Sequence, residues 1–497
     1  MKLTSLFLSI ILFLVFTECS KTKQSGETTS NSDSTKATSS EEASKPAEES
    51  TSAGSGIVLK GIYATSTKIP AASFSYYNLF DGNKNTYWST MPGAGPDEGI
   101  MLYFDKPLVI DALEITQPGT ETNSRITSFT IYTNGQKLTD RDYTNDKITI
   151  NMSNVYSLFI RLDQLDDMIK GNKEGTVVTS FPSEKTAAIS ELKILLKGGV
   201  KADIVIPKQV KGTITASSTL APDLSYGVRN LFDSRSEFAW AEGDKGNGIG
   251  QSLNLQFQDE QTITGLEVMN GYQRSDKHYS ANTRVKTLTL SDETGKQSEV
   301  TLNDSQGEQL VSLSTPLKGK NIKIKVKDVY PGASYKDMVI SEIKFKNGDA
   351  EFILEDNVTE SLKNALVKRA KGTMLEKVLD HRIGNEIQEM DGQISSLILR
   401  SDYTFVYYMR GWTDSGRDTS TDETIADGNW EIKELSADMA VIRIFGKLMK
   451  QSKTQNYYTG ETSTDDLQIF QDLLTIDAGG ISPQKFLSPL VFAPSQN

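Results

Sequence analysis

Cysteine is almost absent from this chain: among 497 residues, Cys19 is the single thiol. No disulfide can form within the chain, and no thiol beyond residue 19 is available as nucleophile or metal ligand. Histidine is nearly as scarce. His278 and His381 stand far apart in the sequence, which leaves no basis for a histidine-rich metal centre or a Ser-His-Asp triad. Basic clusters are also missing and the formal net charge is −12, the wrong sign for a phosphate-backbone partner, so no nucleic acid is expected. The apolar stretch Leu3 to Phe16 falls short of the roughly 20 residues a helix needs to cross a bilayer. Gly246-Asn247-Gly248-Ile249-Gly250 runs into strand-like residues and not into a helix, so it is no phosphate-cradling loop. No catalytic residues emerge, and the chain reads as a binder and not an enzyme.

The start of the chain reads as an export segment. Met1 and Lys2 precede the short apolar run, as in a signal peptide, and Thr17-Glu18-Cys19-Ser20 follows. This resembles the lipidation site of bacterial lipoproteins, although Glu18 stands where that pattern has a small residue. The resemblance implies a signal peptide over 1–19, acylation at Cys19, and a lipid-anchored place in the bacterial cell envelope, at the outer membrane. Residues 20–55 are dominated by Ser, Thr, Glu, Lys and Ala and hold too little apolar surface to offset ordering entropy. They read as a disordered tether with a reach of about 30 Å.

A repeat dominates the rest. Ala64-Thr65-Ser66-Thr67 matches Ala216-Ser217-Ser218-Thr219, Asn78-Leu79-Phe80-Asp81 matches Asn230-Leu231-Phe232-Asp233, and Trp88 matches Trp240, all at one and the same interval. Ile189-Ser190-Glu191-Leu192-Lys193 and Ile340-Ser341-Glu342-Ile343-Lys344 close the two copies, over 56–198 and 209–347. Within each copy apolar residues alternate, as in Leu253, Leu255 and Phe257, then Ile322, Ile324 and Val326. Such alternation between Gly, Asn and Asp turns predicts half-buried strands of a β-sandwich or jelly roll.

These motifs resemble the discoidin-like, or coagulation factor 5/8 type C, galactose-binding fold. The second copy resembles one branch more closely, the glycan-binding domain of bacterial NAD-glycohydrolase toxins. The residues carrying that likeness are Ala239 to Gly243, Lys245 to Gly250, Asn270 to Gln273, Asn282, Arg284 to Lys286 and Asp328 to Gly332. The first copy keeps only the frame. Sugar recognition needs an aromatic platform flanked by amide, carboxylate and guanidinium groups. Glu242, Asn270, Tyr272, Gln273, Arg274, Lys277, Arg284 and Tyr330 are the candidates, with Tyr279 and Tyr335 near them, whereas Trp240, shared by both copies, reads as core. The discoidin-like fold also implies a structural Ca²⁺ held by a turn Asp, a late Glu and a Thr before the Trp. Asp81, Thr86 and Glu191 match in the first copy; Asp233 and Glu342 match in the second, where Phe238 replaces the Thr. Hard oxygen ligands of this kind suit Ca²⁺.

From 350 to 497 the pattern is mixed. Thr359 to Ala370 reads as a helix and Met374 to Arg382 as a second short one, followed by strands at Leu397, Phe405, Trp430 and Val441, with Asp414 to Gly428 as a polar loop. Asp402-x-Thr404-Phe405 with Gly428-Asn429-Trp430-x-Ile432 resembles lipocalin-like β-meanders, and Tyr407, Tyr408 and Trp412 are candidates to line a cavity or fill a core. The expected architecture is mainly β: two tandem galactose-binding-like sandwiches and a C-terminal α+β domain. The expected function is binding of glycans or glycosylated partners by the second copy. A protein-binding adhesin using the same loops, or targeting modules for a C-terminal hydrolase, are the alternatives.

Overall fold

The computed structural model describes residues 56–491 except 94–97, 120, 143–146, 167–171, 174–175, 178–184, 222, 388–390 and 457–459. Cys19, the apolar leader and the tether lie outside these residues. The structure is mainly β, as the alternation predicts.

The first sandwich is built on two long antiparallel strands, Gly99–Thr116 and Lys147–Leu165. Ile57–Ala64 and Glu191–Leu196 pair with the first of these, and Ile126–Thr133 with the second. A small sheet of Trp88–Ser89, Thr186–Ile189 and Asn123–Ser124 lies apart from it. The second sandwich repeats the plan with Ser252–Asn270 against Glu308–Tyr330, flanked by Thr283–Asp292 and Met338–Asn347. In both copies the shared tryptophan is fully buried, and its indole N–H donates to the carbonyl of the serine in the first motif. Trp88 reaches Ser66 O at 3.0 Å and Trp240 reaches Ser218 O at 3.2 Å. Each also stands opposite the isoleucine of the closing motif, Ile189 and Ile340. A buried indole N–H must be satisfied, so the spacing of these motifs is fixed by one recurring bond.

A helix, Glu360–Ala370, and one 3₁₀ turn, Met374–Lys377, lead into an antiparallel meander of eight strands taken in chain order. Leu366, Ala370 and Leu375 pack on Leu399, Phe405 and Trp430. Two expectations are corrected here. The second helix stops at its first turn, and Arg382–Ile387 is already a strand. The expected polar loop Asp414 to Gly428 is mostly a strand, Asp418–Leu435, hydrogen-bonded to Thr404–Asp414 and Ala440–Asn456. Its first half extends past the core, so both faces carry polar side chains and no alternation marks it, while Thr419, Thr421 and Thr424 still favour extended backbone. Tyr407 is core, and its hydroxyl accepts from Ser488 N at 3.1 Å.

The meander lies across both sandwiches, and the residues from Ser55 onward form one compact unit. Tyr63, Met101, Tyr132 and Phe159 of the first sandwich pack with Tyr408, Ile425 and Met449 of the meander. Inside this apolar contact, Arg161 Nη1 meets Glu423 Oε1 at 3.0 Å. From the second sandwich, Arg235 Nη1 meets Asp427 Oδ2 at 2.7 Å, and Phe238 sets its edge on Phe445 at 5.2 Å. Lys447 joins all three parts, with its Nζ 2.7 Å from Tyr103 OH and 3.3 Å from Glu237 Oε2. Arg400 reaches the fully buried Glu98 of the first sandwich. The repeat explains that last pair. Glu98 accepts from Thr65 and Ser66 as Gln251 accepts from Ser217 and Ser218, so an amide in the second copy is a carboxylate in the first, and the extra charge is taken up by Arg400.

Candidate functional site

The sequence candidates of the second sandwich separate into three groups. Glu242 and Asn270 are buried and structural. Glu242 Oε2 accepts from Asp244 N at 2.8 Å, anchoring the glycine turn, and burial first, then Asp337 and Asp244, raise its carboxyl. Asn270 bridges the strand of Val285, donating to its O at 2.7 Å and accepting from its N at 2.9 Å.

Tyr272 and Arg274 form the second group and turn away from solvent. The expected exposed platform at Tyr272 is a correction: the residue is 5% exposed, its hydroxyl donates to Glu237 O at 3.0 Å, and burial pushes it up to about 12. Gly271 at φ +75° produces this turn, a conformation that glycine adopts without strain. A side chain there would also strike Arg284 Cγ at 2.5 Å. The Tyr272 ring packs edge-on to Tyr226 and His278. Arg274 points toward the meander, 3.5 Å from Phe470 O.

Gln273, Lys277, Arg284 and Tyr330 make the third group, around loops that stay open, although Arg284 itself is 8% exposed on the strand Thr283–Asp292. Arg284 is its centre. Its Nε and Nη2 grip Asp304 in a two-pronged pair at 2.9 and 2.8 Å, and its Nη1 donates to the carbonyls of Asn282 and Pro331. Tyr279 donates to Asp304 Oδ1 at 3.1 Å and lies under the guanidinium, 5.3 Å from carbon to ring centre. The bond to Arg284 holds the Asp304 carboxyl below its usual range, and burial followed by the Asp304 bond pushes Tyr279 up to about 12. Gln273 Oε1 accepts from Gly307 N at 3.1 Å and so braces the loop that carries Asp304. Tyr330 donates to Leu302 O at 3.0 Å, and Lys286 sits over its ring. The loop after Tyr330 returns against the helical turn Asp276–Ala281, Tyr335 N reaching Ala281 O at 2.8 Å, and leaves the Tyr335 ring 58% exposed. Lys277 is exposed on that turn. The result is a polar, aromatic-edged surface with an ionised, partly exposed carboxylate at its centre. Asp304 escaped the sequence reading because Asn303-Asp304-Ser305 looks like an ordinary turn.

The residues matched to Ca²⁺ lie at the other motif. In the first copy, Asp81 accepts from Asn83 N at 2.8 Å and from Thr86 Oγ1 at 2.5 Å. Beside it stands Glu191, 8% exposed, whose Oε1 is buried with no hydrogen-bond partner; burial first and then Asp81 raise its carboxyl. A buried carboxylate oxygen without a partner is the vacancy in hydrogen bonding that a hard cation satisfies. In the second copy Asp233 and Glu342 share a hydrogen bond and both accept from Arg235 N. Burial, chiefly, pushes Asp233 up to about 7 and Glu342 well above its usual range. Phe238, in the place of Thr86, is spent on Phe445. No group of three or more His, Cys, Asp or Glu side chains poised for a metal occurs among the described residues.

The sheets and the repeated tryptophan bond define two β-sandwiches of one plan in tandem. Residues 207–346 match the family model described as NAD glycohydrolase translocation F5/8 type C domain. No curated protein matches the chain. Among solved structures, the CBM32-1 and CBM32-2 domains of Clostridium perfringens ZmpB, in complex with GalNAc, share 12% identity over 58% of this chain and 90% of theirs, with a TM-score of 0.22. A fucolectin from striped bass serum, Morone saxatilis, shares 12% over 57% of this chain and 94% of its own, with a TM-score of 0.21. The mycobacterial arabinofuranosyltransferase AftD shares 10% over 78% of this chain, with a TM-score of 0.23, and the chain spans 38% of its length. The fold assignment rests on the sheets themselves.

Proposed function

We propose that the protein binds glycans, or partners that carry them, through the open loops of the second sandwich, without catalysing a reaction. The observations that support this most are the Arg284–Asp304–Tyr279 cluster and the exposed Tyr335 ring on the loop that returns against Asp276–Ala281. A fixed carboxylate accepts from neighbouring sugar hydroxyls, and an exposed aromatic ring offers a face to the apolar side of a pyranose. The family match over the same residues agrees with it. Asp304→Asn keeps the size of the side chain and removes its charge; it should lower binding to glycan-bearing cells by about tenfold or more, that is, by about 1.4 kcal/mol or more. Enzymatic deglycosylation of the cells should remove wild-type binding altogether, and binding that survives would favour protein contacts through the same loops.

Two further readings belong to this proposal. Ca²⁺ sits in the first copy, with Asp81 and Glu191 as side-chain ligands and backbone carbonyls beside them, and it stabilises the turn without taking part in recognition. Added Ca²⁺ should then raise the melting temperature of the wild type and leave Glu191→Gln unmoved; an equal rise in both would contradict the assignment. The chain is also anchored to the bacterial envelope by acylation of Cys19. Cys19→Ala should shift the protein from the membrane fraction to the soluble one on fractionation, and unchanged partitioning would refute the anchor.

A further inference from the structure

A cavity of about 350 Å³ lies where the two sandwiches, the connecting segment 353–358 and the meander meet. Pockets of this size at domain junctions are typical small-ligand sites. One wall is aromatic: Tyr76 and Tyr77 lie with ring centres 5.0 Å apart, tilted by 41°, and Phe232 is half-buried beside them. From the meander, Asp402 closes another side. It is 6% exposed, and one of its oxygens is committed, Oδ1 accepting from Thr404 N at 2.9 Å and from Thr404 Oγ1 at 2.6 Å. Asp402 Oδ2 takes no hydrogen bond from the described residues. Arg400 and Arg229 act on this carboxylate from the protein side, and Oδ2 remains open to a donor or cation that enters the cavity.

The basic groups of the wall are already engaged. Arg235 lies between the Tyr63 and Phe238 rings and pairs with Glu237 and Asp427. Arg229 pairs with Asp356 at 3.3 Å at the rim. Burial first, then Tyr77, Asp356, Asp233 and Glu342, push the Tyr76 hydroxyl well above its usual range. Aromatic faces beside a carboxylate are what a positively charged alkyl group seeks.

We propose that this cavity binds a small organic cation, its ammonium group against Asp402 Oδ2 and its hydrocarbon body against Tyr76 and Phe232. The site exists only where all three parts of the chain meet, and it is independent of the glycan reading.

Calorimetric titration of the full chain with choline tests it, with a parallel titration of the uncharged alcohol in which a tert-butyl group replaces the trimethylammonium. Choline should saturate one site per chain and bind about tenfold or more tighter than the alcohol. Asp402→Asn retains an acceptor for Thr404 while removing the charge, and it should weaken choline by a similar factor. Tyr76→Leu should weaken both probes, with melting curves confirming that each variant is folded. No saturable heat from choline at millimolar concentration, equal affinity for the alcohol, or unchanged choline binding in Asp402→Asn would overturn the proposal.

Discussion

Replacing Arg235 by methionine should destabilise the protein by about 3–5 kcal/mol. The arginine is 7% exposed and carries two ion pairs in the contact between the second sandwich and the meander, to Glu237 and to Asp427, each at 2.7 Å. Methionine fills much of the same space but leaves two buried carboxylates facing each other with Lys447 as their remaining cation. The burial penalty of those charges then outweighs any gain in apolar contact. Lys286→Met is the control. Lys286 pairs with Asp328 at 2.7 Å, but the two side chains are 43% and 45% exposed, and solvent-screened pairs are worth about 0–1 kcal/mol. Urea denaturation of the two variants checks this. An Arg235 variant that lost no more than the Lys286 control would mean that the contact between sandwich and meander does not depend on its charges.

Acid should dissolve the same contact. Burial by itself would raise the carboxyl of Glu237, but Lys447 and Arg235 outweigh it and bring the group down to about 2. In the unfolded chain a glutamate titrates near 4.3, or about that. Between those values the unfolded chain binds more protons, so the Glu237 contribution is complete above about pH 5.5 and is lost as pH falls toward 2. At about 1.36 kcal/mol per pH unit of displacement this comes to roughly 3 kcal/mol at neutral pH. Asp427 is raised by burial and acts in the opposite sense, so the contribution is read as the difference between wild type and Glu237→Gln. That difference, measured by urea denaturation across a pH series, should be largest near neutrality and shrink between about pH 5 and pH 2. A gap that stays constant with pH would contradict the assignment.

The frame of the molecule was legible in the sequence because its constraints are local or repeated. Trp88 and Trp240 each need a carbonyl, and both find it at the same offset in their own copy. The period-two strands around Leu255 and Ile324 announce themselves by alternation. Other features had no such signature. Arg235 and Asp427 pair across almost two hundred residues, and nothing in either neighbourhood marks the other. Tyr272 sits among amides and charges and reads as a loop residue, yet Gly271 folds it under the strand and the meander covers that side. The first half of Asp418–Leu435 runs past the core, so its polarity concealed it. Asp304 gained meaning only when the backbone brought it to Arg284, twenty residues earlier in the chain.

The site that results is smaller than the stretch the sequence suggested. In the proposed reading, recognition moves from Tyr272 and its glycine turn to the loops around Arg284, Asp304 and Tyr335, and the buried side of the same stretch serves the contact with the meander. The C-terminal region thereby acquires a role in holding the two sandwiches in one body.

A broad glycan array probed with the full chain and with its Asp304→Asn variant tests the central claim most directly. The account predicts selective binding to a limited set of glycans by the wild type and loss of that signal in the variant, with melting curves confirming that the variant is folded. A silent array for the wild type, or equal signals from the two proteins, would contradict it.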